Sequence, residues 1–361
     1  MIYWVLLAIF ALLIMFEECN IKFNIIKSHK VSGKKLYIAS VSIILVLIAG
    51  LRSTEVGADT EMYETLYNWC SEFNSFFEGW NSWHRSGVEV GYYTLEYIIS
   101  RFFSFQAFLL VTSTISIIPV MLVIYRYSKN YWYSLFMYIA FGYFSFAMGG
   151  IRQACAMGIC MLAYICAKEK KLFKFLMLIA VAMCFHKSAI LFVPVYWIGK
   201  LRKNKVILPI FIILLCGSFI LKNKLYAILN LFSRQAFDVA TDQGGIRMFA
   251  LMVFTVAIGW FYYNKFFSKK KDYGEDNWTL LLMLSIAVIM WPIASVNAEL
   301  NRMYYYYHIF IMLYLPNLIY SLKRTDRYVI GMGFGAVACY YLYAYIICGQ
   351  LHYAPYYFFW Q

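Results

Sequence analysis

Long apolar runs divide this sequence and constrain its fold more than any other feature. Hydrophobic residues make up 63% of the chain and charged residues only 14%. A helix needs about 20 apolar residues to cross a hydrocarbon layer of about 30 Å. Apolar segments that approach this length lie at residues 2–19, 36–51, 105–125, 131–148, 152–167, 172–185, 188–200, 206–221, 246–264, 278–296, 303–322 and 328–348. The sequence predicts an all-α polytopic membrane protein of about 12 transmembrane helices, a single integral membrane domain over residues 1–361.

The positions of Lys and Arg predict which side of the membrane each connection faces. Most of the 32 basic residues fall in alternate short connections, such as those at 20–35, 168–171 and 265–271. Basic residues accumulate on the cytoplasmic side of membrane proteins, so these connections are predicted to be cytoplasmic and both termini external. The net charge of +14 is therefore a topology signal. Charges spread over short loops beside lipid do not predict binding of nucleic acid.

The longest external connections are predicted at residues 52–104 and 222–245. Within the first, apolar residues three to four positions apart predict an amphipathic helix in the outer membrane interface: Met62, Leu66, Trp69, Phe73 and Phe76. A second amphipathic helix is predicted over residues 92–103, with a buried face formed by Leu95, Ile98, Ile99 and Phe102. Together these helices are predicted to cap the membrane bundle on its external side.

Aromatic residues are abundant and cluster on the predicted external side. They make up 20% of the chain, including 33 Tyr, and external clusters lie at residues 92–93, 304–307 and 353–360. Aromatic side chains anchor proteins at the membrane interface, and their faces also stack against sugar rings. The sequence leaves both roles open for each cluster.

The basic residues predicted at the outer mouths of the helices are mostly arginine, whereas lysine predominates on the cytoplasmic side. The outer set includes Arg52, Arg152, Lys187 and Arg302. Arginine forms bidentate hydrogen bonds with phosphate and keeps its charge when desolvated. Helix N-termini add oriented backbone donors. The set predicts an anion site suited to a pyrophosphate. The alternative is that each arginine reaches a lipid headgroup or pairs with an acid.

Candidate acids and bases are predicted in the same layer, namely Asp59, Glu89, His186 and Glu299. Histidine titrates near neutrality, and a carboxylate flanked by arginine stays ionised and can accept a proton from a hydroxyl. Each acid could instead form an ion pair that only holds loops together. No cysteine or histidine pattern has metal-ligand spacing, so neither a metal nor a cofactor is predicted.

Several short motifs occur in a fixed order: Gly50-Leu51-Arg52, Gly57-Ala58-Asp59 with Tyr63, Glu89-Val90-Gly91-Tyr92, Gly150-Ile151-Arg152-Gln153, Phe185-His186-Lys187-Ser188, Arg302-Met303-Tyr304-Tyr305 and Pro355-Tyr356. In order and predicted placement they resemble the EpsG-like and Wzy-type polymerases of bacterial exopolysaccharide, capsule and O-antigen. The resemblance spans nearly the whole chain. Val90 departs from the proline usual in that family, which affects the local turn and leaves the acid in place.

This resemblance implies a GT-C-like bundle in the bacterial cytoplasmic membrane, with its active site facing the periplasm. The implied enzyme transfers a growing glycan from undecaprenyl pyrophosphate to the next lipid-linked repeat unit and releases undecaprenyl pyrophosphate. Its donor and acceptor are both undecaprenyl-pyrophosphate-linked oligosaccharides. Membrane lipids surround it, and a chain-length regulator is a candidate partner by family analogy.

The resemblance also assigns roles. The pyrophosphate is assigned to Arg52, Arg152, Lys187 and Arg302, activation of the acceptor to Asp59, Glu89 or His186, and sugar or phosphate contacts to Tyr63, Tyr92 and Gln153. The pyrophosphate bond is already activated, so the protein need only stabilise departing charge and deprotonate the acceptor, without a metal. Alternatives are an O-antigen ligase or another lipid-linked-sugar glycosyltransferase, and a flippase or transporter. A flippase is expected to carry charge through the depth of its cavity, whereas the mid-depth positions here are mostly apolar.

Overall fold

The structure is a computed structural model that describes residues 2–18, 33–83, 87–204, 206–231, 245–264, 271–296, 300–349 and 353–361. Within these ranges the chain is helical, and its extended pairing is limited to a single antiparallel bridge between Arg52 and Phe358. The predicted all-α class is confirmed.

The described residues of the first half of the chain form ten α-helices. They are α1 (Ile2–Glu18), α2 (Gly33–Gly50), α3 (Thr60–Glu72), α4 (Phe76–Trp83), α5 (Val90–Ser100), α6 (Phe105–Tyr127), α7 (Tyr131–Ala140), α8 (Tyr143–Gly149), α9 (Ile151–Lys168) and α10 (Leu172–Met183). A 3₁₀ helix at Lys187–Phe192 follows α10.

The second half begins with a short helix and ends with a π-helical turn at Leu342–Ile347. Its α-helices are α11 (Val195–Ile198), α12 (Ile207–Leu231), α13 (Ile246–Tyr262), α14 (Lys271–Ala294), α15 (Tyr305–His308), α16 (Ile311–Ser321) and α17 (Arg324–Tyr341). A 3₁₀ turn at Leu300–Arg302 precedes α15. Helix α12 extends into the range predicted as the loop 222–245, and residues 232–244 lie outside the described ranges.

Six helical stretches in the described ranges are long and apolar enough to cross a membrane: Gly33–Gly50, Phe105–Tyr127, Ile151–Lys168, Ile207–Ile228, Asp276–Ala294 and Arg324–Ile347. Shorter apolar helices lie at Ile2–Leu12, Leu172–Met183, Lys187–Ile198 and Ile246–Tyr262. These helices support a multi-pass membrane protein. The predicted count of about 12 spans is not confirmed, and the external position of the termini stays a prediction.

Three segments predicted as continuous helices are broken. The segment at 131–148 divides into α7 and α8 at Gly142, whose φ of 80° is left-handed and ends α7. The segment at 188–200 divides into the 3₁₀ helix and α11, and the one at 303–322 into α15 and α16. Apolar composition is the same on both sides of each break, so periodicity alone predicted longer helices than the chain forms.

Helices α9 and α14 form the centre of the bundle. Helix α6 packs between α2 and α9, and α10 covers another side of α9. Helix α14 packs against α12, α13 and α16 in the second half. In the apolar stretches of α9 and α14, 72% and 78% of the residues are buried, whereas only 6% are buried in that of α12. Helices α9 and α14 are therefore central and α12 is peripheral.

Helices form at both segments predicted to be amphipathic, as α3 and α5. In α3, Met62 and Trp69 are exposed, and the buried face is formed by Thr60, Tyr63, Tyr67 and Cys70. The exposed apolar residues lie on the face turned away from the protein, as in helices that lie against lipid. The helix itself agrees with the predicted amphipathic segment, and its placement in the membrane interface stays a prediction.

Helix α5 confirms part of its predicted buried face. Ile99 is buried and Leu95 packs beside it, whereas Ile98 and Phe102 are exposed. Tyr92, Tyr93 and Glu96 are buried in their place. The protein-facing surfaces of α3 and α5 meet in a cluster that lies over α6. It contains Tyr63, Tyr67, Tyr92 and Tyr93 and is called the tyrosine-rich cluster here. This cluster forms one wall of the end of the bundle where the predicted site residues converge.

Candidate functional site

Residues from distant parts of the chain converge at one end of the bundle, here called the site end. It is formed by the end of α2, the start of α3 and α5, the N-terminus of α9, the 3₁₀ helix after α10 and the turn before α15. Direct contacts among Asp59, Glu89, Arg152, Lys187 and Arg302 join these elements. Residues separated by more than 240 positions in sequence thus share one small region.

The first feature of the site end is an ion pair between Arg152 and Glu89. Arg152 Nη1 lies 3.1 Å from Glu89 Oε2, and the Lys187 backbone N–H donates to Glu89 Oε1 at 3.2 Å. Burial raises the pKa of the Tyr63 hydroxyl, and the nearby positive charge of Arg152 opposes this shift. The Glu89 side chain is only 7% exposed, whereas that of Arg152 is 28% exposed. The acid is therefore enclosed, and part of the guanidinium stays open.

Gly91 explains how Glu89 reaches this position. The backbone N–H groups of Gly91 and Tyr92 donate to the Cys184 carbonyl at 2.8 and 3.2 Å, which fixes the start of α5 on the end of α10. A Cβ at position 91 would lie 2.8 Å from that carbonyl oxygen. The close approach thus requires glycine, and the hydrogen bonds form with Val90 in place of the family proline.

A second ion pair joins Arg302 to Asp59. Arg302 Nη1 lies 3.6 Å from Asp59 Oδ2, and both side chains are partly exposed, at 43% and 32%. Gln153 Nε2 donates to the Arg302 carbonyl at 2.8 Å. Because Gln153 directly follows Arg152, this hydrogen bond holds the two ion pairs beside each other. The sequence alternative that the acids pair with arginines is thus realised at both acids.

The turn before α3 sets the position of Asp59. Gly57 has a φ of 101°, a left-handed conformation that side-chain-bearing residues rarely adopt. The turn is closed by a hydrogen bond from Thr60 Oγ1 to the Val56 carbonyl at 2.8 Å. Asp59 then occupies the N-cap position of α3 without using its side chain as a cap. The carboxylate is consequently left free to face Arg302.

Arg52 differs from the other arginines because it is buried, with 1% of its surface exposed. Its guanidinium donates to the Val56 carbonyl at 3.2 Å, to the Met148 carbonyl at 2.7 Å and to the Ala49 carbonyl. Burial lowers the pKa of Arg52 to about 10, which leaves it charged at neutral pH. Its contact with pyrophosphate stays a prediction, and its hydrogen bonds favour a role in holding the turn that carries Asp59.

His186 is held in one tautomer by its neighbour Ser188. The Ser188 backbone N–H donates to His186 Nδ1 at 3.3 Å, and Ser188 Oγ lies 2.5 Å from the same nitrogen. Since Nδ1 accepts, the ring proton is on Nε2. Burial lowers the pKa of His186 to about 3, with a further contribution from the positive charges of Arg152, Arg302 and Lys187. His186 is therefore a neutral hydrogen-bond donor at neutral pH, a state that favours donation over proton abstraction.

The remaining predicted residues are placed differently. Lys187 is exposed beside the Arg152–Glu89 pair. Tyr63 and Tyr92 are buried, with ring centroids 6.0 Å apart, and within the described part of the chain the Tyr92 hydroxyl has no hydrogen-bond partner. Direct contact of Tyr92 with a sugar stays a prediction. Glu299 lies outside the described residues.

Glu96 is an ionisable residue that the sequence reasoning missed. It is fully buried in the tyrosine-rich cluster, and neither carboxyl oxygen has a hydrogen-bond partner among the described residues. Burial raises the pKa of Glu96 to about 8, against the opposing effect of Arg152. The carboxyl is therefore largely protonated at neutral pH. Its position four residues after Tyr92 was a usable signal, because both lie on one face of α5.

Candidate metal ligands do not cluster in the structure as described. Within those ranges no group of three or more His, Cys, Asp and Glu side chains has a geometry that could hold a metal ion. The charged groups of the site end are instead arranged as two arginine–carboxylate pairs with Lys187 alongside.

These features define a class: a multi-pass helical membrane protein with two coupled arginine–carboxylate pairs at one end of its bundle. The family model for the EpsG family matches residues 35–358. The chain therefore belongs to the EpsG family, the family of Wzy-type polysaccharide polymerase-like proteins. No curated protein and no solved structure matches it. The matched range includes all the predicted site residues, from Arg52 to Arg302.

Proposed function

We propose that this protein polymerises glycan repeat units carried on undecaprenyl pyrophosphate, at the outer face of the bacterial cytoplasmic membrane. The site end faces the periplasm and receives two lipid-linked oligosaccharides, one as donor and one as acceptor. The growing chain passes from its lipid to the new unit, and undecaprenyl pyrophosphate leaves. Membership of the EpsG family supports the polysaccharide chemistry, and the site geometry supports the details.

The observation that carries the proposal is the coupling of the Arg152–Glu89 and Arg302–Asp59 pairs through Gln153. Both guanidinium groups are partly exposed, and Lys187 adds a third cation beside them. Arg152 also lies in the first turn of α9, where free backbone N–H groups favour an anion. Several positive groups at one place suit a pyrophosphate better than a single phosphate.

The ion pairs suggest how a substrate prepares its own reaction. A pyrophosphate carries more negative charge than one carboxylate, so it competes with Glu89 and Asp59 for the guanidinium groups. The ion pairs then weaken. A released carboxylate then accepts the proton of the acceptor hydroxyl. The hydroxyl oxygen bonds to the anomeric carbon of the donor sugar, and the bond from that carbon to the pyrophosphate oxygen breaks. The leaving pyrophosphate takes the electron pair, and the cations stabilise its charge.

Asp59 is the better placed of the two acids to act as the base. Its side chain is 32% exposed, and its ion pair with Arg302 is long, at 3.6 Å. Glu89 is enclosed and holds both Arg152 and the Lys187 backbone. We assign proton abstraction to Asp59 and positioning of Arg152 to Glu89. His186, with its proton on Nε2, is assigned hydrogen-bond donation to substrate.

The test is a gel of surface and lipid-linked glycans from cells that lack this protein and are complemented with wild type or Arg152→Ala at equal membrane levels. We expect wild type to restore a ladder of chain lengths. Arg152→Ala should leave single repeat units attached to their final acceptor, because the donor pyrophosphate is no longer bound. Arg152→Lys should also impair the ladder, because lysine lacks the planar fork of donors.

Arg247 provides the matched control, since it is the second residue of α13 as Arg152 is of α9. It contacts the tyrosine side chains of α17 and the following turn. Arg247→Ala should keep the full ladder. Complete loss of surface glycan with intermediates trapped on undecaprenyl would instead indicate a ligase or a flippase. A fully active Arg152→Ala would remove Arg152 from the pyrophosphate site.

A further inference from the structure

Three aromatic clusters were predicted on the side of the site, and the structure separates them. Tyr92 and Tyr93 are buried in the tyrosine-rich cluster, and Tyr304, Tyr306 and Tyr307 are buried in the core. In the third cluster, three rings remain exposed: Tyr357 at 41%, Phe359 at 51% and Trp360 at 60%. Of these clusters, only the segment 353–361 offers several open ring faces to a ligand.

This segment is held firmly on the turn that follows α2. The Ser53 N–H donates to the Tyr357 carbonyl at 2.9 Å, and the Phe359 N–H donates to the Leu51 carbonyl at 3.0 Å. These bonds flank the antiparallel bridge between Arg52 and Phe358. The open rings are therefore attached to the backbone of the Arg52 turn, and a ligand that binds them pays little for ordering the segment.

The start of the segment lies near one ion pair of the site end. The Tyr356 hydroxyl donates to the Ile48 carbonyl at the end of α2, at 2.5 Å. Tyr353 is buried, and Arg302 and Asp59 are among its electrostatic neighbours. The segment thus begins beside the Arg302–Asp59 pair and extends from it to the open aromatic rings.

The open rings form an ordered surface. Phe358 and Trp360 stack with centroids 4.5 Å apart and an interplanar angle of 7°. Phe359 meets Trp360 edge-on, at 4.9 Å and 80°. The indole of Trp360 is thus supported on one face by Phe358 and braced at its edge, which leaves it rigid although it is 60% exposed. Rigid aromatic rings give binding area at low entropic cost.

The chemistry of the segment selects an uncharged ligand. Residues 353–361 contain no Asp, Glu, Lys or Arg. An aromatic face carries partial negative charge, which attracts the weakly positive C–H groups that line one face of a pyranose ring. The arginine pairs next to the segment take the charged end of a lipid-linked sugar, whereas the rings suit its neutral glycan.

We propose that Tyr357, Phe359 and Trp360 form a glycan platform that binds pyranose rings of the lipid-linked oligosaccharide next to the ion pairs. This inference rests on the proposed function and deepens it by naming where the sugars lie. Trp360 is the main stacking surface, because it is the most exposed ring of the segment and is supported from behind by Phe358. The platform holds the glycan while the arginines hold pyrophosphate.

The test measures binding of a phosphate-free probe to purified protein in lipid nanodiscs. The probe is the reducing oligosaccharide that mild acid releases from the cell's own lipid-linked repeat units. Its binding is measured by calorimetry. We expect Trp360→Ala to weaken binding at least tenfold, and Trp360→Phe to retain most of it because a flat ring remains. Trp360→Leu should behave like Trp360→Ala, because leucine is apolar but has no face to stack.

Trp197→Ala is the matched control. Trp197 is 48% exposed. The hydroxyl of its neighbour Tyr196 donates to the Lys170 carbonyl, at the end of α9 opposite the site end. This variant should bind the probe as wild type does. Equal binding by wild type and Trp360→Ala would overturn the platform. Full binding by Trp360→Leu would also overturn it and would indicate a ring that only contacts lipid.

A second variant separates this proposal from the proposed function. Arg152→Ala should bind the phosphate-free probe normally while losing the glycan ladder. If the ladder survives in Arg152→Ala but Trp360→Ala loses probe binding, the platform stands and the pyrophosphate role of Arg152 fails. If the ladder is lost in Arg152→Ala and the probe binds Trp360→Ala normally, the platform fails and the proposed function stands.

Discussion

The two ends of the bundle both carry ion pairs, but the pairs are built differently. At the end opposite the site, Arg126 pairs with Glu169 and Lys168 with Asp276. The side chains of Arg126 and Glu169 are 42% and 38% exposed, and those of Arg302 and Asp59 at the site end are similar, at 43% and 32%. Glu89 at the site end is only 7% exposed. Exposed pairs are screened by water and contribute about 0–1 kcal/mol. An enclosed acid costs more to desolvate, so the Arg152–Glu89 pair is weak evidence for stability.

The comparison extends to single arginines. Arg126 contacts one exposed carboxylate, Arg302 shares an exposed site with Asp59, and Arg52 is enclosed by backbone carbonyls. The three residues are chemically identical, yet their surroundings suit a surface pair, a substrate contact and a structural support, respectively. Four predictions follow in order of decreasing expected effect, at Arg52, at Asp59 beside Arg302, at the buried acid Glu96 and at Arg126.

Replacement of Arg52 should have the largest effect. Arg52→Met removes three hydrogen bonds from a buried guanidinium, and the Ala49 carbonyl loses its Arg52 donor. The Val56 and Met148 carbonyls each keep a bond from Thr60 Oγ1. A hydrogen bond to a charged group contributes about 1.5–3 kcal/mol, so we expect a loss of about 3 kcal/mol or more. The measurement is the membrane level of the variant and its thermal midpoint in detergent. Normal level and midpoint with no polymerisation would instead assign Arg52 to substrate binding.

Replacement of Asp59 should abolish the reaction without unfolding the protein. Asp59→Asn keeps the size of the side chain but cannot accept the acceptor proton, and a general base typically contributes about 10²–10⁴-fold in rate. We expect at least a hundredfold loss in polymerisation rate with purified lipid-linked substrate and an unchanged thermal midpoint. Glu89→Gln should lower both rate and midpoint, because it loosens Arg152 and the Lys187 backbone. If Asp59→Asn keeps the wild-type rate and Glu89→Gln has no activity, Glu89 is the base and Asp59 is not.

Replacement of Glu96 should change how stability depends on pH. Burial raises the pKa of Glu96 from its ordinary 4.5 to about 8, so the folded state holds a proton that the unfolded chain releases. This contribution is present below pH 4.5 and is lost as pH rises to about 8. Glu96→Gln mimics the protonated acid. Between pH 5 and pH 8 we expect its free energy of unfolding to fall less than that of wild type, by about 1 kcal/mol or more, and its thermal midpoint to fall less as well.

The exposed Glu72 at the end of α3 is the control for this measurement. Glu72→Gln should follow the wild-type pH profile. If Glu96→Gln also follows that profile, Glu96 is ionised in the folded protein and must have a partner that neutralises it.

The helical class was predictable from the sequence, and so was the set of residues that meet at the site end, but their contacts were not. Apolar runs predicted the bundle because membrane burial acts on composition. The same runs could not show the break at Gly142, since a single left-handed glycine leaves composition unchanged. Motif order predicted Arg52, Arg152 and Arg302 as one set. Only three-dimensional packing shows that Arg52 is enclosed by carbonyls, because its partners Val56 and Met148 carry no signal in their side chains.

The tyrosine-rich cluster shows the same limit on sequence reasoning. The apolar spacing of α5 predicted a buried face that includes Ile98 and Phe102, yet both side chains are exposed. In a membrane the lipid is as apolar as a protein core, so the most apolar face can turn outward. The protein-facing side is then the one with tyrosines and with Glu96, which sequence hydrophobicity ranks lower.

Replacement of Arg126 should have the smallest effect. Arg126→Ala removes an exposed pair with Glu169 at 3.2 Å, and Glu169 keeps its second partner, Lys171, at 2.6 Å. We expect a change of about 0–1 kcal/mol in stability and a full glycan ladder in cells. A hundredfold loss of polymerisation from this change would mean that the opposite end also binds substrate. A full ladder beside the inactive Arg152→Ala would show that an arginine–carboxylate pair matters here because of where it lies, and that charge pairing alone does not make a site.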